Sequence, residues 1–127
     1  MLVLNLHTNV PVDAVTASDI LRDATKAVVK TTRTPESQVV VILNEGVPLS
    51  LGGTEDPAAY GEIISIKGLG SGVNGKLSST ISNIIQTKLT IEGDRFYIKF
   101  YDQEGAFICN WSHSFQKNLL LHKIFKN

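Results

Sequence analysis

The same order of patterns occurs twice along the chain, and that duplication restricts the fold more than any other feature. A β-rich run, Leu2–His7, comes first. Apolar Ile20, Leu21, Ala24, Ala27 and Val28 then recur at helical spacing between Ser18 and Val29. Thr16 or Ser18 is placed to cap this helix, with Asp19 adding negative charge in its first turn. Pro35 cannot continue it. Gln38–Leu43 (Gln-Val-Val-Val-Ile-Leu) follows as a near-continuous apolar strand, the form expected where both faces are covered. The second copy lies about 59 residues further on. It reads as a strand over Tyr60–Ile66, a turn loosened by Gly68, Gly70 and Gly72, and a helix over Val73–Leu89. Gly93 marks the helix exit, and Arg95–Tyr101 is the matching strand. The second helical stripe is Val73, Leu77, Ile81, Ile84, Ile85 and Leu89.

Two β-α-β units with right-handed crossovers give an α/β fold: a four-stranded sheet with both helices on one face. The other face, expected to be rich in Val and Ile, then has no cover. Burial against identical subunits is the expected remedy.

A chain of 127 residues suits one domain with a core of its own. Twelve basic and twelve acidic side chains cancel, so no basic field recruits nucleic acid. Cys109 is the single cysteine, which excludes an internal disulfide framework and suits a reducing compartment. Apolar runs fall short of the roughly 20 residues that span a bilayer, and the N-terminus is a poor secretory signal. A cytoplasmic location is the expectation. His7, His113 and His122 lack metal spacing, so no metal is expected. Gly68, Gly70, Gly72 and Gly75 precede Lys76-Leu77 rather than the Lys-Ser/Thr of a phosphate loop. No cofactor is expected.

Four separated segments carry a resemblance: Thr8-Asn9-Val10-Pro11, Ser50-Leu-Gly-Gly-Thr-Glu-Asp-Pro-Ala-Ala-Tyr-Gly-Glu62, Arg95-Phe-Tyr-Ile-Lys-Phe-Tyr-Asp102, and Trp111. In order and spacing the chain resembles the macrophage migration inhibitory factor / D-dopachrome tautomerase family from Leu2 to about Trp111. The wording Gly-Gly-Thr-Glu-Asp-Pro-Ala-Ala-Tyr-Gly-Glu resembles the plant branch. The resemblance implies a family-type domain over residues 1–115 and a ring-shaped homotrimer whose sheets surround a central channel. Residues 116–127 depart from the family as a basic amphipathic tail. The implied activity is keto–enol tautomerisation of phenylpyruvate- or dopachrome-like compounds, so a small aromatic keto acid is the implied ligand.

In that family the base is the amine of an N-terminal proline, exposed by loss of the initiator Met. This chain has Met1-Leu2, and a bulky second residue favours keeping Met1. The base position then carries a primary amine one residue out of place, of a kind that ordinarily titrates at about 7.7–8.0. Displacement by even about 1 Å can cost on the order of a hundredfold in rate. Weak or lost activity is expected, and the alternative is a catalytically silent, cytokine-like trimer acting through a protein receptor or partner.

The resemblance also implies a substrate-binding set. Arg33-Thr34-Pro35 stands where the family has Gly-Lys-Pro, so Thr34 takes the lysine position. Arg33 is either a carboxylate ligand or a solvated turn residue. Ile66 matches the pocket isoleucine, and Lys67 replaces the glycine after it. Tyr97 matches the tyrosine that a neighbouring subunit supplies, and Lys99 replaces an asparagine. Trp111 follows Asp102 with one residue more than the family spacing. The cysteine pair of animal members is replaced by Ala58 and Gly61, which removes thiol redox chemistry.

Overall fold

The computed structural model describes residues 1–65 and 71–102. The elements run β1 (Leu2–Thr8), α1 (Ala14–Thr32), a 3-10 turn (Glu36–Gln38), β2 (Val39–Asn44), β3 (Ala59–Ser65), α2 (Ser71–Leu89), a second 3-10 turn (Gly93–Arg95) and β4 (Phe96–Asp102). The duplication is stricter than the sequence pattern suggests. Leu2 maps to Ala59, Ala14 to Ser71, Glu36 to Gly93 and Val39 to Phe96, each 57 residues apart rather than 59.

The sheet order is β2-β1-β3-β4. Each crossover joins parallel neighbours: β1 to β2, with Leu2 opposite Val39, and β3 to β4, with Ala59 opposite Phe96. The two units meet along one antiparallel ladder, β1 with β3, running from Leu2–Ser65 to Thr8–Ala59. Strand alternation sends Leu2, Leu4, Leu6 and Thr8 of β1, and Ala59, Gly61, Ile63 and Ser65 of β3, toward the helices. There they pack with Ile20, Ala24 and Val28 of α1 and Leu77, Ile81 and Ile85 of α2. Gly61 fits because Leu6 fills its place: a Cβ there would lie 3.1 Å from Leu6 Cδ2.

The opposite face differs from the expected Val/Ile surface. Its rows read Val40–Val3–Ile64–Tyr101, then Ile42–Asn5–Glu62–Lys99, then Asn44–His7–Tyr60–Tyr97. One row is mainly apolar; apart from Ile42, the other two are amide, charged and aromatic. β2 is likewise not covered on both faces. It is an edge strand whose Val40 and Ile42 are 39% and 41% exposed.

Both helices run further than their apolar stripes. Asp13, not Thr16 or Ser18, caps α1, and its carboxylate accepts from the Thr16 backbone N–H at 2.8 Å. Hydrogen bonding from the Thr16 side chain first, and then from its backbone N–H, holds the Asp13 carboxyl below its ordinary pKa. At their C-terminal ends both helices close on a left-handed residue that is not glycine. Arg33 has φ 59°, and its counterpart Thr90 has φ 57°. Their N–H groups reach back to Val29 O at 2.9 Å and Gln86 O at 3.0 Å. A β-branched side chain is poorly suited to that conformation. Thr90→Gly should therefore stabilise the chain by about 0.5–1 kcal/mol, read as a higher urea midpoint. An unchanged or lower midpoint would show that Thr90 is not strained.

Candidate functional site

The start of β1 and the exit of α1 come together at one corner. Leu2 is held between Val39 of β2 and Ser65 of β3 in two ladders. Its side chain points to the helices and is fully buried, so it presents no group to a ligand. The α-amine of Met1, one residue earlier, donates to Gln38 Oε1 at 3.4 Å. Gln38 sits at the end of the first 3-10 turn, where its own N–H bonds Pro35 O at 2.8 Å.

Arg33 and Thr34 lead into that turn and part company. Arg33 is exposed and carries its guanidinium on the left-handed cap of α1. Thr34 is buried, and its hydroxyl shares a 2.8 Å hydrogen bond with the Thr32 hydroxyl. Thr32 in turn donates to Val28 O at 2.7 Å. The position that holds the lysine in the resembling family therefore turns inward here, while Arg33 stays outside. Ile66, Lys67 and Trp111 lie outside the described residues, as do Cys109 and the tail 116–127.

Tyr97 and Lys99 stand on β4, the outermost of the described strands, on the face away from the helices and away from this corner. Tyr97 is 63% exposed and shares a row with Tyr60 and His7. His7 is six residues up β1 from Met1, about 20 Å at the strand rise. One chain thus does not bring Tyr97 to the Met1 amine. The Lys99 ammonium lies 4.8 Å from the Tyr101 ring centroid. A side-chain hydrogen bond to Tyr101, helped by charge attraction, raises its pKa above the ordinary value.

The row beside it is equally built. Asn44 Nδ2 donates to Asn5 Oδ1 at 3.1 Å and lies 3.3 Å from His7 Nδ1. The His7 ring stacks on Tyr60 with centroids 6.3 Å apart. Desolvation first, then the Glu62 charge, raises the Tyr60 pKa, while the Lys99 charge opposes them. Glu62→Gln should therefore lower the pH at which Tyr60 ionises, and Lys99→Met should raise it. Both shifts are read from Tyr60 ring resonances in a pH titration. A curve that ignores both substitutions would mean solvent screens these charges.

Two polar residues inside the quoted motifs are structural, which the motifs themselves do not reveal. Asn9 Nδ2 donates to the carbonyls of Leu49, Glu55 and Asp56 at 3.3, 3.1 and 3.0 Å, while its Oδ1 accepts from Ala58 N at 2.9 Å. Arg95 grips the same loop from the other side. Its Nε bonds Pro57 O at 2.9 Å, and its Nη atoms reach Leu51, Thr54 and Asp56 carbonyls at 3.3, 3.5 and 3.0 Å. The available signal is a side chain rich in donors beside a loop rich in Gly and Pro. Arg95→Ala should cost about 1–3 kcal/mol and speed proteolytic cutting within residues 50–57. Unaltered cutting would mean the loop holds itself.

A shallow groove of about 330 Å³ lies at the far end of the helical layer, lined by Val10 to Asp13, Thr16, and Lys88 to Thr90. Lys88 there is shared between Asp19 and Asp23, each at 3.9 Å. Among the described residues no group of three His, Cys, Asp or Glu side chains is arranged to hold a metal. No described helix is long and apolar enough to cross a membrane.

Comparison with known proteins agrees with this architecture. The family model described as macrophage migration inhibitory factor matches residues 1–115. A macrophage migration inhibitory factor homolog from Trichuris trichiura is 33% identical over 106 residues, covering 84% of this chain and 92% of the relative. The solved macrophage migration inhibitory factor structure from Trichinella spiralis superposes with a TM-score of 0.76 at 32% identity, covering 86% of this chain and 96% of that one. A homologue from Prochlorococcus marinus gives a TM-score of 0.79 at 28% identity, over 85% and 94% of the two chains. The chain belongs to the macrophage migration inhibitory factor family.

Proposed function

We propose that this protein is a trimeric member of the keto–enol tautomerase type, of the plant branch and located in the cytoplasm. Its activity on phenylpyruvate- or dopachrome-like substrates is weak. The observation that carries the reading is the Met1 amine at the start of β1, hydrogen-bonded to Gln38 on the segment that follows the exposed Arg33. An amine can take the proton from the carbon next to a keto group when it is neutral near the working pH. The electrons of the broken C–H bond move into the enolate, whose oxygen takes a proton from water. Arg33 holds the substrate carboxylate in its planar fork.

Tyr97 and Lys99 complete the site from a neighbouring copy. Their distance from Met1 within one chain supports a site shared between subunits, and so does the exposed apolar edge strand β2. Ile66, Lys67 and Trp111 complete the proposed binding set. The wording of residues 52–62 supports the plant branch. The weakness follows from Leu2: the residue that aligns with the family's base is locked in the core, and the amine stands one residue before it.

The second reading, a cytokine-like trimer with a silent site, is favoured by Thr34. The lysine position is buried and internally hydrogen-bonded, so one of the family's site groups is missing. Phenylpyruvate tautomerisation by the purified protein separates the two. We expect low turnover that Leu2→Pro, which favours removal of Met1, raises by on the order of a hundredfold. We expect Arg33→Ala to raise KM about tenfold with little change in kcat. Silence from the native protein and from Leu2→Pro alike would discard the enzyme and leave the binding trimer.

A further inference from the structure

The N-terminal amine differs from a proline amine in a way that the corner itself addresses. A secondary amine in a ring has its lone pair fixed by the ring. A primary amine turns freely about its N–Cα bond, and its lone pair then sweeps three staggered directions. Any base built from Met1 needs something to stop that rotation, because proton transfer depends on alignment.

Resting on the tautomerase-type reading, we propose that Gln38 is a positioning residue for the Met1 α-amine: its side-chain carbonyl holds one N–H and so narrows the directions open to the lone pair. The contact is Met1 N to Gln38 Oε1, 3.4 Å, between two half-buried residues 37 positions apart. Both ends are anchored by backbone. The residue after the amine is clamped on both sides, Leu2 to Val39 and to Ser65. Gln38 is the residue before Val39, and its N–H is tied to Pro35 O at 2.8 Å. The ladder that pairs β1 with β2 therefore brings amine and amide side by side. An amide oxygen is well suited to this role, because it accepts from the ammonium and from the neutral amine alike and carries no charge of its own.

Among the described residues, Lys30 and Arg33 stand at the end of α1 and Glu36 in the 3-10 turn. The adjoining strand positions, Leu2 and Val3, Val39 and Val40, Ile64 and Ser65, carry no ionisable side chain. Tyr101 and Asp102 end β4, two strands away from β1.

The test is competitive acylation of the full chain by limiting acetic anhydride across a pH series. Met1 is scored against the exposed Lys26 as internal reference, beside the pH–rate profile for phenylpyruvate. Intact mass first establishes that Met1 is present and its amine unacetylated. Gln38→Glu puts a carboxylate on the amine and should move the Met1 labelling midpoint up by about 0.5–1 pH unit. Gln38→Leu, which removes the acceptor, should move it down. Any tautomerase pH profile should move with the labelling while the urea midpoint stays put. Coincident Met1 curves in all three proteins would overturn the assignment, as would a mass showing Met1 removed or acetylated. If the curves separate but neither these proteins nor Leu2→Pro turns over phenylpyruvate, the contact between Gln38 and the amine stands and the tautomerase reading falls.

Discussion

The antiparallel ladder between β1 and β3 is the constraint on which everything else rests. Among the described residues it is the one sheet contact between the two β-α-β units, and side chains from both of its strands join one core with both helices. Leu2, Leu4 and Leu6 from one side and Ala59 and Ile63 from the other are buried to within 1%. A slip of one residue by β1 would send its leucines to the open face and bring Asn5 and His7 under the helices, and a slip by β3 would do the same with Glu62. The same register sets the chemistry. It decides that Leu2 is core, that the amine stands just outside it, and that Tyr97 ends up in the row of His7.

Buried polar groups mark where that ladder ends. Thr8 and Ser65 occupy equivalent positions in the two units, and both are buried. The Thr8 hydroxyl donates to Ala58 O at 2.8 Å and accepts from Val10 N at 3.1 Å. It ties the end of β1 to the residue that precedes β3. A buried hydroxyl satisfied on both sides costs little, and it stops the strand from sliding.

Much of this is legible in the chain and some of it is not, for physical reasons. Helical spacing and β-rich or unbroken apolar runs locate the strands and α-helices of the described residues, because burial leaves a pattern in the sequence. Helix ends are harder to place. The stripe over Ile20–Val28 is blind to the turn before it, so it does not single out Asp13 as the cap over nearby Thr16. The make-up of the open face also escapes the pattern. Val3 and Ile64 lie in its apolar row, but Asn5, His7, Glu62 and Lys99 are the alternate residues of the same strands. Resemblance marks Thr34 as a site position from alignment alone. Its inward turn toward Thr32 is a property of the local backbone, which no residue type announces. Gln38 carries no sequence signal because its partner is a chain terminus, a group absent from any side-chain motif.

The grip of Asn9 and Arg95 on the loop between β2 and β3 has a consequence for how the chain can change over time. Both residues bind main-chain oxygens, which every amino acid supplies. The shape of residues 49–58 is thus insulated from most of its own side chains: Glu55 or Asp56 can be exchanged without loosening the clamp. Gly52 and Gly53 are bound more tightly to their identity by φ values of 62° and 80°. Drift in this surface is therefore cheap at its acidic tip and costly at Asn9, Arg95 and the two glycines. The loop can acquire new surface chemistry while its backbone stays the same.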